Sequence, residues 1–316
     1  MQRVFALVGP TGIGKSAIAV ELAQSLGAEI VSCDSMQVYR HMSLLTQAPT
    51  HAQRALVQHH LIDCVEPTQS FSVGQYHKTA APIINRILER GKRVLIVGGT
   101  GLYLKALTEG LCDAPPADNR VREQLWSECQ GLGSAMLYDR LRGVDSLAAS
   151  RIHPNDARRI IRALEVYTLT GRPISTWWRQ ASAELLQGQV QIIGINRERE
   201  DLYARVNERV LHMVYEQGVI NEVRQLLHLP LSRVSRQVHG LGDLEAYLSG
   251  RLTLKDAIAV WQQRVRNYAR RQMVWFRQTP GIRWLTLGTE EPPWESATRV
   301  LDLMQGHHAQ EAVATE

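Results

Sequence analysis

Apolar residues crowd the first strand-length stretch of the chain. Residues 3–8 (RVFALV) run without polar alternation and stop at Gly9-Pro10. Such a run predicts a strand buried on both faces, and the Gly-Pro pair predicts a turn. Over residues 16–26 the spacing changes to four, with Ile18, Leu22 and Leu26 on one helical face. Short apolar runs return at 29–33 (EIVSC), 93–98 (RVLIVG) and 190–195 (VQIIGI). Strands separated by helical stretches predict a parallel α/β sheet. Between 113 and 188 strand-like runs vanish, and arginines and small residues dominate, which predicts a helical insertion domain. Helical spacing resumes at Leu202, Val206, Val210 and Met213, with Gly218 expected to close the helix. Residues 255–277 read as a long basic helix, and the chain from Gln305 onward is polar and expected to fray. The expected division is an α/β core from 1–112 and 189–290, the helical insertion at 113–188, and a C-terminal helix and tail at 291–316.

Composition narrows this picture only a little. The chain has 316 residues and is 44% hydrophobic, enough for one well-buried core and a smaller lobe. Lysine and arginine number 36 against 31 acids, a net charge of +5, which is a mild bias toward polyanions. Cys33, Cys64, Cys112 and Cys129 form no CxxC pair, so a zinc ribbon is not indicated. The N-terminal apolar run is too short for a signal peptide, and no run reaches membrane-spanning length. A reduced, cytoplasmic protein with no membrane partner is expected.

The chemistry starts at residues 9–16. Gly9-Pro10-Thr11-Gly12-Ile13-Gly14-Lys15-Ser16 matches G-x-x-x-x-G-K-[ST] between a predicted strand and a predicted helix, so the fold expected is a P-loop NTPase-like parallel sheet flanked by helices. Backbone N–H groups of such a loop curl around phosphate oxygens, and the helix N-terminus adds partial positive charge. Lys15 supplies a full charge, and the Ser16 hydroxyl can ligate Mg²⁺. The motif calls for a di- or triphosphate, a nucleotide such as ATP among them, and names no reaction. Asp34 directly follows the second strand, where open α/β sheets place their ligands. It is a candidate general base or outer-shell magnesium group, with a helix N-cap as the alternative. Thr100 follows the third strand, where its hydroxyl and the freed backbone can approach the same crevice, with a helix N-cap as the alternative.

Arg158, Arg159 and Arg162 put a basic stripe on the segment opened by Asp156, while Ile160 and Ile161 can pack inward. Such a stripe suits a nucleic-acid backbone or a solvated helix face. Arg264, Arg266, Arg270, Arg271 and Arg277 make a second basic run interleaved with Tyr268, Trp275 and Phe276, aromatics that can stack on bases or fill a core. Trp177-Trp178 is read as packing. Neither His59-His60 nor His307-His308 has partners at metal-site spacing.

Taken together, these segments resemble the tRNA dimethylallyltransferase (isopentenyltransferase) family. The matching stretches, in order, are GPTGIGKS at 9–16, DSMQVYR at 34–40, HHLID at 59–63, VGGTGLYLKAL at 97–107, HPNDARRIIRALEVY at 153–167, RERE at 197–200 and NYARRQMVWFR at 267–277. The resemblance implies transfer of a dimethylallyl group from dimethylallyl diphosphate to the exocyclic amine of the adenosine 3′ of the anticodon. By that similarity Gly9 to Ser16, with Thr11 through Ser16 foremost, hold the diphosphate and Mg²⁺, and Asp34 accepts the amine proton. Ser35, Met36 and Gln37 line the flipped adenine. Thr100 and Arg122 contact the nucleotide and leaving group, and Arg158, Arg159, Ile160, Ile161 and Arg162 meet the tRNA anticodon stem-loop. A monomer is expected. The chain departs from the family at 41–49, where HMSLLTQAP stands for the usual GMDIGTAKP, so that His41 and Leu45 replace glycines and Ala48 replaces a lysine. Leu241 likewise replaces a tyrosine after Gly240, and Arg236 is a candidate for reaching the diphosphate. A P-loop kinase for a small acceptor, and a non-catalytic RNA-binding relative, are the competing readings.

Overall fold

The computed structural model describes residues 3–178, 186 and 189–305. The first apolar run forms β1 (Val4–Val8), buried at every position as a strand covered on both faces requires. The chain then makes α1 (Lys15–Leu26), β2 (Ala28–Ser32), α2 (Ser43–Thr46), α3 (His51–Leu56), β3 (His59–His60), α4 (Val73–Glu89), β4 (Arg93–Gly98) and α5 (Gly101–Thr108). Four helices follow: α6 (Asn119–Val144), α7 (Ser146–Arg151), α8 (Ala157–Thr170) and α9 (Ile174–Trp177). The last third comprises β5 (Val190–Asn196), α10 (Arg199–Tyr215), α11 (Val219–Leu227), a 3₁₀ turn at Ser235–Gln237, α12 (Leu241–Leu248), α13 (Leu254–Arg277), β6 (Ile282–Thr286) and α14 (Pro293–Gln305).

Two compact units result, one from 1–105 with 186–316 and one from 106–185. The first is built on a six-stranded sheet in the order β3-β2-β4-β1-β5-β6, parallel throughout. The sequence patterning predicts only four of these strands. β3 is a two-residue histidine pair with no apolar run, and β6 (IRWLT) is an edge strand only partly buried, so neither carries a buried-strand signature. The C-terminal helix α14 lies against α1.

Helix boundaries follow their caps. Thr50 and Ser72 each form a capping box, with Gln53 and Gln75, at the starts of α3 and α4. Gly218 does not close α10 as the spacing suggested. α10 ends at Tyr215 with Glu216 as its C-cap, and Gly218, at φ 78°, is the N-cap of α11. At the far edge of the sheet His60 Nε2 lies 2.8 Å from Glu29, which also meets Arg90 and Lys92, so that the His60 ring is occupied as a hydrogen-bond partner. His307-His308 and the tail beyond Gln305 lie outside the described residues.

The helical unit has its own core, formed by Leu125, Leu137, Leu141, Ile160, Ile161, Leu164 and Ile174 among others, with Trp177 and Trp178 packed against it. Arg172 sits 4.8 Å from the Trp177 ring and Arg151 5.6 Å from the Trp178 ring, so both tryptophans combine packing with a cation contact.

Candidate active site

The carboxyl ends of β2, β4 and β1 lie side by side in the sheet, and the residues that follow them converge. After β1, Gly9 to Gly14 form the loop that opens α1. Gly12 (φ 86°) is required there twice over: its backbone is left-handed, and a Cβ would come within 2.6 Å of Val206 Cγ2 on α10. α1 starts on Gly14 without a side-chain cap, which leaves its first amides to a ligand. Lys15 folds over the loop, its Nζ donating to the carbonyls of Gly9 (2.9 Å) and Pro10 (2.7 Å).

Of the eight motif residues, Gly12, Gly14, Lys15 and Ser16 line a cavity of about 700 Å³. The others support it. The Thr11 amide donates to Gln272 Oε1 (2.8 Å) and the Ile13 side chain is buried, its carbonyl accepting from Arg197 Nε (3.2 Å).

Asp34, just past β2, lines the same cavity. Both roles considered for it are present in one side chain. Its Oδ1 accepts the amides of Met36 (2.9 Å) and Gln37 (3.4 Å), a turn-capping arrangement. Its Oδ2 has no hydrogen-bond partner among the described residues. Gln37 also lines the cavity, its Nε2 held by the carbonyl of Gln47 (3.2 Å). Thr100 lies after β4 and accepts the Ser35 amide on its Oγ1 (3.0 Å), so its hydroxyl fixes the segment that carries Asp34.

The cavity also contains groups that the sequence patterning did not single out. Arg205, Arg209 and His212 reach it from α10. Arg209 Nη2 donates to Thr11 Oγ1 (2.9 Å), while the Nε atoms of Arg205 and Arg209 are buried without a partner among the described residues. Buried donors left open beside an anion loop mark the place of a negatively charged ligand. Gln272 of α13 ties the site together, since its Nε2 donates to the Gly99 carbonyl (2.8 Å) as its Oε1 takes the Thr11 amide.

Crowding of cations in a site sheltered from water has a cost. Burial brings the Lys15 ammonium down to about 8, with Asp34 acting in the opposite direction and Arg209 adding to the fall. Burial likewise lowers Arg209 to about 10, again opposed by Asp34. Cys33, behind the site, is pushed up by burial to about 12 and stays a thiol.

The substituted stretch 41–49 forms a wall of the cavity, contributing Thr46, Gln47 and Ala48, and leaves the space between loop and carboxylate open. His41, one of the two residues expected to stand for a glycine, has a left-handed backbone (φ 62°), and so does Gln47 (φ 50°). Glu222 of α11 holds the segment by accepting the amides of Leu44 (2.9 Å) and Leu45 (2.8 Å).

In the helical unit the basic stripe is partly committed. Glu165 is fully buried and is met by Arg122 (3.0 Å) and Arg162 (2.7 Å). Arg162 also donates to the Pro115 carbonyl (2.6 Å). Arg159 pairs with Asp156 (3.2 Å), and Arg158 is exposed. The side chains of Ile160 and Ile161 are 0% and 2% exposed, turned into the core of the unit by the helical spacing that leaves Arg158 and Arg159 outside.

Comparison with known proteins gives a consistent result. The family model IPP transferase matches residues 37–279. The tRNA dimethylallyltransferase of Syntrophobacter fumaroxidans is 46% identical over 283 residues, covering 89% of this chain and 82% of its own. That of Geobacter sulfurreducens is 43% identical, covering 88% of this chain and 89% of its own. Among solved structures, the full-length tRNA isopentenylpyrophosphate transferase of Bacillus halodurans is 36% identical with a TM-score of 0.67, over 98% of this chain and all of the other. A eukaryotic dimethylallyltransferase solved acting on tRNA is 25% identical with a TM-score of 0.82, over all of this chain and 82% of its own.

Proposed function

The chain belongs to the IPP transferase family, and from that premise we propose that it moves a dimethylallyl group from dimethylallyl diphosphate onto the exocyclic amine of the adenosine 3′ of the anticodon in tRNA. The observation that carries this reading is one cavity with an anion cradle at Gly12–Ser16 and a carboxylate, Asp34, on its wall.

The chemistry divides cleanly between those two sides. As the allylic C–O bond breaks, negative charge grows on the departing diphosphate. Lys15, Arg205, Arg209 and the first amides of α1 are aimed at that charge, and in a site sheltered from water they act strongly. The adenine amine forms the new C–N bond and must lose a proton. Asp34 accepts it on Oδ2, since Oδ1 is occupied by the amides of Met36 and Gln37. Ser35, Met36 and Gln37 shape the recess for the base, and Thr100 positions that segment. An adenosine in a loop leaves its stack more readily than one in a duplex.

Mg²⁺ fits the residues present. Ser16 Oγ is in the first turn of α1 beside Lys15, and Asp34 is placed to act through water. No cluster of three or more His, Cys, Asp or Glu able to hold a metal exists among the described residues. A magnesium ion here would therefore take its remaining ligands from diphosphate and water, its usual habit in phosphate sites. It would supply charge neutralisation of the diphosphate. In the helical unit, Arg158 and Arg159 are the arginines open to an anticodon stem-loop, with Arg122 and Arg162 acting through buried Glu165. No helix among the described residues is long and apolar enough to cross a membrane. We place the protein in the cytoplasm, acting as a monomer.

The test is a nucleoside digest of tRNA incubated with purified protein, dimethylallyl diphosphate and Mg²⁺. Prenylated adenosine formed without added nucleotide is the expected product. A requirement for ATP would instead support the kinase reading, and tRNA binding without product would support a non-catalytic relative.

A pH dependence follows from Lys15. Above about pH 8 the free protein loses this charge. The KM for dimethylallyl diphosphate is expected to rise by about tenfold per pH unit beyond that point, while kcat at saturating donor stays level because the bound diphosphate holds the proton on Lys15. A donor KM that is flat from pH 7 to 10 would remove Lys15 as a charged contact.

A further inference from the structure

Glu222 does not line the cavity, yet its contacts lead into it. It is partly buried on α11, and its carboxylate accepts the Leu44 amide on Oε2 (2.9 Å) and the Leu45 amide on Oε1 (2.8 Å). Those are the amides an N-cap side chain would normally satisfy, and α2 has no side-chain cap of its own. A carboxylate from a helix far along the chain takes that place. Resting on the transfer reading above, we propose that Glu222 is a positioning residue for the reaction. By capping α2 it fixes the carbonyls of Thr46 and Gln47, and these set the Gln37 amide in the recess for the adenine.

The path from Glu222 to the recess is continuous. Gln37 Nε2 donates to the carbonyls of Thr46 (3.4 Å) and Gln47 (3.2 Å), at the end of the helix that Glu222 caps. Two carbonyls can be met only by the NH₂ end, so the amide has one orientation. Ser32 Oγ donates to the other end, Oε1 (3.4 Å), which leaves that oxygen one further lone pair. What Gln37 can offer a base is therefore an acceptor. The exocyclic amine of adenine carries two hydrogens. With one directed at Asp34 Oδ2, an acceptor suits the other, and a base with a carbonyl at that position would be repelled. The Gln37 backbone amide also donates to Asp34 Oδ1 (3.4 Å), so a shift of Gln37 disturbs the turn that carries the carboxylate.

A second tie runs alongside the first. Gln47 Nε2 donates to Gln217 Oε1 (3.1 Å), in the connection between α10 and α11. Gln47 has a left-handed backbone (φ 50°), which a residue other than glycine keeps only where its surroundings over-determine it. α10 also carries Arg205 and Arg209 of the donor side. The α10–α11 corner thus supports the donor half of the cavity through α10 and the base half through Glu222 and Gln217.

The experiment measures transfer to an anticodon stem-loop by the full chain, comparing wild type, Glu222→Gln, Gln37→Ala and the double variant. Glutamine at 222 can accept one of the two amides but turns N–H groups toward the other. Its kcat is expected to fall by about ten- to a hundredfold, the scale for a small misplacement in a site. The KM for dimethylallyl diphosphate should stay within about twofold of wild type, since Glu222 is not part of the phosphate cradle. The double variant should be no slower than Gln37→Ala alone, because Glu222 acts through Gln37. A carboxylate that only stabilised the fold would lower the melting temperature and leave the kcat of folded enzyme unchanged. Gln217→Ala, at an exposed residue, is the second variant should Glu222→Gln fail to fold. It is expected to lose about threefold in kcat, the scale for one net hydrogen bond, and to lose nothing further in the Gln37→Ala background. A kcat within twofold of wild type in Glu222→Gln, or a loss that multiplies with that of Gln37→Ala, would overturn the proposal. Wild type that yields no prenylated adenosine would count against the transfer reading instead. The clamp is then judged by amide hydrogen exchange: faster exchange at 34–37 as well as 41–49 in Glu222→Gln supports it, and unchanged exchange at 34–37 overturns it.

Discussion

Lys15→Ala is expected to lower kcat/KM for dimethylallyl diphosphate by about a thousandfold or more, the upper range for deleting one charge-stabilising donor from a sheltered site. The loss should fall on kcat as well as on KM, because the diphosphate gains charge as the allylic bond breaks and Lys15 is worth most at that point. RNA affinity should hardly change. Arg209→Gln should share the pattern with a smaller loss, since Arg205 remains beside it.

Stability is expected to move the other way. Burial lowers the Lys15 ammonium from the ordinary 10.5 to about 8 in the fold. The folded state therefore resists the charged form, and wild-type stability rises as pH climbs from about 8 to 10.5, where the unfolded chain still binds the proton that the folded one has released. The variant lacks that rise, and at pH 7 its melting temperature should be at or above that of wild type. A variant that is inactive because it is unfolded would show the reverse. Retention of more than a tenth of wild-type kcat/KM would sink the assignment of Lys15 to the leaving group.

What could be read in the sequence followed how local each signal was. The phosphate loop is contiguous, so eight letters between a strand and a helix were enough. Asp34 was placed by a rule about strand ends, and it does line the cavity. Arg205, Arg209 and Gln272 were not legible in the same way, because they come from α10 and α13, far along the chain. In sequence, an arginine on an amphipathic helix looks the same whether it meets solvent or a diphosphate. One signal was available: Arg205 and Arg209 each directly precede a core position, Val206 and Val210, and so flank the apolar stripe of α10. The segment match at 153–167 names Ile160 and Ile161 along with the arginines, and helical spacing alone turns the side chains of those two inward. It also gave no sign that Arg122 and Arg162 converge on Glu165, a pairing that depends on how α6 and α8 pack.

Asp34→Asn is expected to cut transfer by about 10³ to 10⁴, the upper part of the range for a positioned general base, with stem-loop affinity within a few-fold of wild type. Asparagine is the informative substitution. Its side-chain oxygen can still accept the Met36 and Gln37 amides, so the turn that shapes the base recess survives, whereas alanine would remove the proton acceptor and the turn together. The variant also carries an internal control. Asp34 raises the pKa values of Lys15 and Arg209 against the pull of burial, so removing its charge should lower Lys15 below 8 and shift the alkaline rise in donor KM to lower pH. That shift reports that the carboxylate sits across from the cradle, whatever it does to the amine. The rival route is proton transfer to the departing diphosphate, which is itself a base at neutral pH. An Asp34→Asn enzyme that kept transfer within tenfold of wild type, yet showed the shifted pH limb, would favour that route and reduce Asp34 to an electrostatic partner of Lys15. Loss of transfer together with the shifted limb is the outcome that assigns the proton to Oδ2.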